Sequence, residues 1–188
     1  MIAVAFVVLW AGWAVSWLAA SGWAAPAEKR AGMAAGAPYR IAIVIGAVLF
    51  FIPAHGYYGW MRFWLVSWNV AWLCVGLTAA GIAFAWWARL HLGRLWSGAV
   101  TKKADHRIVD TGPYAIVRHP IYSGMLLATY ATMAAKGTLA AIAGAALITL
   151  GIWLKARLEE RFLRQELGQD AYDAYARRVA MLVPFLWF

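Results

Sequence analysis

Thr111-Gly-Pro-Tyr-Ala-Ile-Val-Arg118-His119-Pro120-Ile121-Tyr122-Ser-Gly124 is the stretch around which the rest of the chain is organised. Its two prolines and two glycines interrupt regular structure. Pro120 biases His119 away from the helical region toward an extended conformation. Arg118 and His119 are therefore expected to project from irregular backbone at the point where an apolar segment begins. In hydrocarbon, polar side chains are tolerated where they line a cavity or sit at the membrane face. Two readings follow: a polar-lined cofactor site at that face, or a basic membrane anchor flanked by aromatic belts.

Composition sets the surroundings of that stretch. With 64% hydrophobic and 13% charged residues, the 188-residue chain departs from the soluble balance of roughly half apolar and a quarter charged. It reads as a polytopic membrane protein. The net charge of +9 comes from Lys and Arg beside apolar runs, the pattern of cytoplasmic membrane loops rather than of a nucleic-acid-binding face. Trp10, Trp13 and Trp17, and again Trp60, Trp64, Trp68 and Trp72, recur at helical spacing, which suits interfacial anchoring, helix packing or a dimer contact. Cys74 is alone, so no disulfide or thiolate metal framework exists, and the Pro-Phe-Leu-Trp-Phe end offers no cysteine to prenylate.

Working outward, the expected fold is all-α with five transmembrane helices. Met1 to Ala25 is long enough to cross roughly 30 Å of hydrocarbon and lacks the basic start of a signal peptide, so it is expected to be a first span. A loop from Pro26 to Arg40 precedes a second span, Ile41 to about Tyr58, interrupted by Pro53 and His55. A third lies within Met61 to Ala88. After the basic loop Arg89 to Arg118, the apolar runs Ile121–Ala135 and Thr138–Leu154 form a short helical hairpin joined by Lys136-Gly137. Lys155 to Ala180 reads as two amphipathic surface helices, broken at Gly168 and restarted with Asp170 as N-cap, Tyr172, Tyr175 and Val179 sharing a face. Residues 1–88 are thus three N-terminal spans, and 89–188 a core of loop, hairpin and C-terminal helices.

Counting Lys and Arg by loop gives the orientation. With five spans, only Arg62 and Lys136 fall on one side, and the other fifteen fall on the opposite side. This places the N-terminus outside and the C-terminus in the cytoplasm. The hairpin then returns Glu159 and Glu160 to the face that carries Arg118.

Several familiar sites are missing. No Gly-x-Gly-x-x-Gly follows a strand-like run, no phosphate-cradling Gly-rich loop is present, and no two His lie at helical metal spacing. No metal site is expected. What remains is a constellation of His106, Tyr114, Arg118, His119 and Tyr122 with Lys155, Arg157, Glu159 and Glu160.

These residues carry a family resemblance. His106-Arg-Ile-Val, Gly112-Pro-Tyr, Arg118-His-Pro-Ile-Tyr-Ser-Gly, Glu159-Glu160, Gly168 followed by Tyr172 and Tyr175, and the late Pro184 together resemble the isoprenylcysteine carboxyl methyltransferase family, close to the phospholipid N-methyltransferases. The likeness covers about Leu92 to Pro184. It implies an integral-membrane methyltransferase that uses S-adenosylmethionine in a cytoplasmic-facing pocket, with a lipophilic acceptor entering from the bilayer. By position it implies that His106, Arg107, Ile108, Val109, Tyr114, His119, Pro120, Ile121, Tyr122 and Glu159 bind the cofactor.

Methyl transfer from a sulfonium is an in-line displacement, so alignment in a dry pocket does most of the work. A carboxylate acceptor is already ionised near neutral pH and needs an orienting cation, for which Arg118, Lys155 and Arg157 are the candidates. An amine or thiol acceptor needs a base instead, Glu160 or His106. The expected acceptor is a prenylcysteine-like carboxylate or another small lipophile, with a phospholipid amine or small thiol as alternative. From a different class, a non-catalytic membrane subunit retaining the fold is the third reading. Membrane lipid is an expected partner and nucleic acid is not.

Overall fold

The computed structural model describes residues 1–25, 29–30, 32–52, 61–98, 101–102 and 108–186. Six α-helices make up most of them: α1 (Ile2–Ala19), α2 (Met33–Phe51), α3 (Trp68–Leu92), α4 (Pro120–Lys136), α5 (Leu139–Leu167) and α6 (Gln169–Arg178). The expected all-α architecture is observed. A two-residue antiparallel ladder, β1 (Lys29–Arg30) with β2 (Thr101–Lys102), ties the first loop to the central one. Four helical segments, 2–23, 34–51, 68–95 and 139–166, are long and apolar enough to cross a membrane. With 17 residues, α4 is shorter, roughly 26 Å of helix.

The bundle is built from two close pairs, α2 along α5 and α3 along α4. Small residues make these approaches possible, as is usual where lipid supplies no hydrophobic drive between helices. A Cβ on Gly81 would lie 2.5 Å from the Gly124 carbonyl oxygen, and one on Gly46 would lie 2.9 Å from that of Gly144. Polar contacts add to the packing. Trp10 Nε1 of α1 donates to Thr132 Oγ1 of α4 at 3.2 Å, and that hydroxyl lies 3.1 Å from Thr78 Oγ1 of α3.

Basic side chains close two helix ends, where free carbonyls attract positive charge. Lys136 Nζ donates to the carbonyls of Phe50 and Ile52 at the end of α2. Arg89, fully buried, donates to Ala20 O beyond α1 at 2.8 Å and to Gly93 O at 3.0 Å, and lies 4.0 Å over the Trp96 ring.

Four boundaries differ from expectation. The second helix is Met33–Phe51 rather than 41–58, because Pro38 falls only five residues in, where a missing N–H removes a single early hydrogen bond. Pro53 and His55 lie outside the described residues. The third helix begins at Trp68, where the Ser67 hydroxyl accepts from Val70 N at 3.5 Å, and runs on to Leu92. The largest difference is α5, one continuous helix of 29 residues instead of a span to Leu154 and a separate surface helix. Lys155 to Leu167 contains no helix breaker, and a change from apolar to charged residues does not end a helix. At roughly 43 Å it is longer than the hydrocarbon is thick. Finally, Asp170 is not the N-cap of α6. Gly168 holds that position at φ 97, and Asp170 lies in the first turn, where its charge favours the helix dipole.

Candidate active site

The opening motif is held from both sides. Gly112 sits at φ +57 in a 3-10 turn, and a Cβ there would come within 2.7 Å of the His91 ring, whose Nε2 lies 2.9 Å from Thr111 Oγ1. Further along, Arg118 N donates to Ala180 O at 2.8 Å and His119 N to Met181 O at 3.1 Å, so the segment after α6 pairs with the motif. His119 caps α4 and Pro120 takes its first position, where a missing N–H carries no penalty.

Arg118 and Glu160 form the buried centre. Arg118 Nε donates to Glu160 Oε1 at 2.7 Å, and its Nη1 donates to Val179 O at 2.6 Å and Ala176 O at 3.1 Å. This one guanidinium joins the motif, α5 and the end of α6. His119 lies between the two acids, Nε2 at 3.3 Å from Glu160 Oε1 and Nδ1 at 3.6 Å from Glu159 Oε2. Its ring stacks on Tyr122 with centroids 5.4 Å apart. Tyr122 in turn donates its hydroxyl to Glu159 at 2.7 Å.

Lys155, one turn before Glu159, places Nζ 3.9 Å from Glu159 Oε1, donates to Gly98 O at 2.9 Å and lies 5.3 Å from the centre of the Tyr122 ring. Behind this layer, Tyr175 donates to Tyr114 O at 2.7 Å. Burial above all pushes the phenols of Tyr114, Tyr172 and Tyr175 well up, so they remain protonated donors at any working pH.

These groups line one end of a cavity of about 570 Å³. That end is formed by Ile108, Val109, Tyr114, Arg118, His119, Tyr122, Lys155 and Glu159 with Phe162, Tyr172 and Tyr175; the other end runs among Trp10, Trp13, Phe50, Met125 and Ile148. A single void thus joins a charged chamber to an apolar limb inside the bundle.

Of the residues singled out from sequence, Ile108, Val109, Tyr114, Arg118, His119, Ile121, Tyr122, Lys155 and Glu159 line this cavity. His106 and Arg107 lie outside the described residues. Pro120 is buried at the start of α4. Two further candidates do not line the cavity. Arg157 is not in the chamber: it is exposed, 5.4 Å over the Trp153 ring, because two residues along a helix turn a side chain to the far side from Lys155. Glu160 is 1% exposed and engaged by Arg118 and His119 behind the cavity wall, which suits a group that positions others rather than one that meets a substrate. Reading the sequence alone missed Trp96 to Gly98, Phe162, Tyr172 and Tyr175 as wall residues. For the two tyrosines the signal was present in their shared buried face.

Residues 73–165 match the model of the isoprenylcysteine carboxyl methyltransferase (ICMT) family. The chain belongs to this family. It is 34% identical over 88 residues to protein-S-isoprenylcysteine O-methyltransferase B of Arabidopsis thaliana, covering 46% of this chain and 44% of that one. It is 44% identical over 73 residues to a methanethiol S-methyltransferase of a Pseudomonas species, covering 38% and 26%. A solved structure of the eukaryotic intramembrane Ras methyltransferase ICMT superposes with a TM-score of 0.58 at 25% identity, over 78% of this chain and 52% of that one. The chain spans about half or less of the length of these proteins. Together with its apolar helices, the ICMT match makes this an integral membrane protein.

Proposed function

We propose that the chain is a membrane methyltransferase that uses S-adenosylmethionine and methylates a lipophilic acceptor. The observation that carries this reading is the continuity of the cavity, charged at the motif end and apolar within the bundle. The donor set fits the cofactor. Glu159 offers carboxylate oxygens for ribose hydroxyls or an amine, His119 offers a donor for a carboxylate, and the Tyr122 and Tyr114 rings offer faces for an aromatic base or a sulfonium. When bound, the cofactor supplies an electrophilic methyl group.

The protein's part is to align the acceptor and exclude water. Lys155 is the cation in the chamber able to orient an acceptor carboxylate, while Arg118 is committed to Glu160 and two carbonyls. A prenylcysteine-like carboxylate is therefore the favoured acceptor. A small thiol is the second reading, favoured by the identity to a methanethiol S-methyltransferase. We place five spans in the membrane, α4 included, with the chamber cytoplasmic. The β1–β2 ladder and the Ala25 N to Arg94 O bond support this, since they hold the basic loops at one end, while Arg62 pairs with Thr138 beside Lys136 at the other.

Calorimetric titration of the detergent-solubilised protein with S-adenosylmethionine tests the reading. Binding that weakens about tenfold or more in His119→Ala and Glu159→Ala, about 1.4 kcal/mol, is expected, and absence of binding to wild type would overturn it. Radiolabelled methyl transfer to prenylcysteines, phospholipids and thiols separates the acceptors.

A further inference from the structure

The segment after α6 gives four consecutive carbonyls to the motif and the turn that follows it. Val179 O accepts from Arg118 Nη1 at 2.6 Å, Ala180 O from Arg118 N at 2.8 Å, Met181 O from His119 N at 3.1 Å, and Leu182 O from the Ser123 hydroxyl. Residues 179–182 are thus a strap across Arg118 and His119. Val117 and Ala180 pair in parallel, so the strap runs in the direction of the motif and reaches the first turn of α4, where that helix enters the bundle.

Immediately beyond the strap, Leu186 N donates to Val183 O at 3.1 Å, which closes a β-turn around Pro184 and Phe185. Proline suits the first central position. The second has φ 67, a left-handed conformation that favours glycine and is strained for phenylalanine. Phe185 is 83% exposed, and Val183 and Leu186 are exposed beside it, so packing among the described residues does not offset that strain. What covers the patch follows from its place and its charge. It adjoins the surface at which α4 enters the apolar bundle, and aromatic and aliphatic side chains at that level partition into the boundary between headgroups and acyl chains. Arg177 and Arg178, exposed in the last turn of α6 just before the strap, complement anionic headgroups.

We propose that the 183–186 turn inserts into the headgroup boundary of the bilayer and that this anchor, acting through the strap, holds Arg118 and His119 in place at the chamber. The inference rests on α4 being a membrane span, as in the topology proposed above.

Depth-dependent quenching tests it without cofactor. On a Cys74→Ser background, an environment-sensitive fluorophore is attached to single cysteines placed at Leu186, Gln169 or Leu127. The protein is reconstituted into vesicles of phosphatidylcholine and phosphatidylglycerol carrying lipid spin-labelled near the top or the end of its acyl chain. Exposed Gln169 is the aqueous control, because α5 runs on to Leu167, roughly 10 Å of helix past Glu160. The Leu186 label is expected to be quenched about threefold more strongly than the Gln169 label by the shallow spin label. Coupling is read by hydrogen exchange of the Arg118 and His119 amides in vesicles. Phe185→Asp and Phe185→Gly should each exchange about tenfold faster than wild type, and Phe185→Trp should retain wild-type protection. Glycine discriminates: it relieves the strained φ, so a turn with no anchoring role would gain protection from it. Leu186 quenched no more than Gln169, a Leu186 label shielded only as the protein-to-lipid ratio rises, which marks a second copy, or exchange within about twofold of wild type in both variants would overturn the proposal. Exposed Leu127 in the middle of α4 reports the span separately. Quenching there by the deep spin label with none at Leu186 removes the anchor and leaves the span, whereas an unquenched Leu127 removes the span itself.

Discussion

Replacing Glu160 by alanine strips Arg118 and His119 of a shared partner in one step. The pair is buried, with side-chain exposures of 5% and 2% and a 2.7 Å contact, so the guanidinium left behind cannot turn to water. Removing one partner of a buried ion pair typically destabilises by about 3–5 kcal/mol. Arg118 keeps its bonds to Ala176 O and Val179 O, which puts the expected loss at the lower end, about 3 kcal/mol. For a chain of this length that corresponds to a melting temperature lower by about 6–12 °C. Glu160→Gln keeps an acceptor oxygen in the same place without the charge and should lose less. Arg157→Ala, on the exposed face of the same helix, should stay within about 0.5 kcal/mol of wild type. Tryptophan-fluorescence melting in one detergent compares all three. A Glu160→Ala protein that melts within about 2 °C of wild type would mean that the Arg118–Glu160 contact does not hold the motif to α5 and α6, and the positioning role assigned to Glu160 would fall with it.

Lys155→Met should raise KM for a carboxylate acceptor about tenfold, about 1.4 kcal/mol, with Lys155→Arg recovering part of the loss; an unchanged KM would remove Lys155 as the orienting cation. Gly81→Ala drives a Cβ into the Gly124 carbonyl and should destabilise by about 1–3 kcal/mol, whereas Gly76→Ala, which meets nothing within 4 Å, should melt with wild type. On a Cys74→Ser background, a cysteine introduced at exposed Phe63 should react with an impermeant maleimide from outside intact cells. One at Arg178 should react only after permeabilisation, and the opposite pattern would invert the proposed topology.

The helices were legible where their apolar content is high, and their ends were not always so. At Lys155 the sequence changes from apolar to charged, which marks where a membrane surface lies but carries no instruction to stop a helix. The stop comes at Gly168, the first residue there able to take φ 97 without strain. Arg89 shows the converse: its charge suggests a loop, yet it is the most enclosed large side chain of α3 because carbonyls at two helix ends and the Trp96 ring take the place of water.

Within the site, helical geometry already separated the candidates. Lys155 and Glu159 are four residues apart and share a face, Arg157 is turned away from both, and Glu160 is rotated by one residue from Glu159. The two neighbouring acids therefore address different partners, Glu159 the cavity with Tyr122 and Lys155, Glu160 the buried side of the motif with Arg118. The apolar limb had no such signature. Trp10, Trp13 and Trp17 recur with a spacing that only specifies one face of α1; whether that face meets a helix, lipid or a void depends on how far α1 stands from its neighbours. The close glycine crossings of α2 with α5 and α3 with α4 draw those pairs together, and the space α1 does not fill becomes the cavity. An acceptor would then read the shape of that void, a property that belongs to the packing of the helices and to no single segment of the chain.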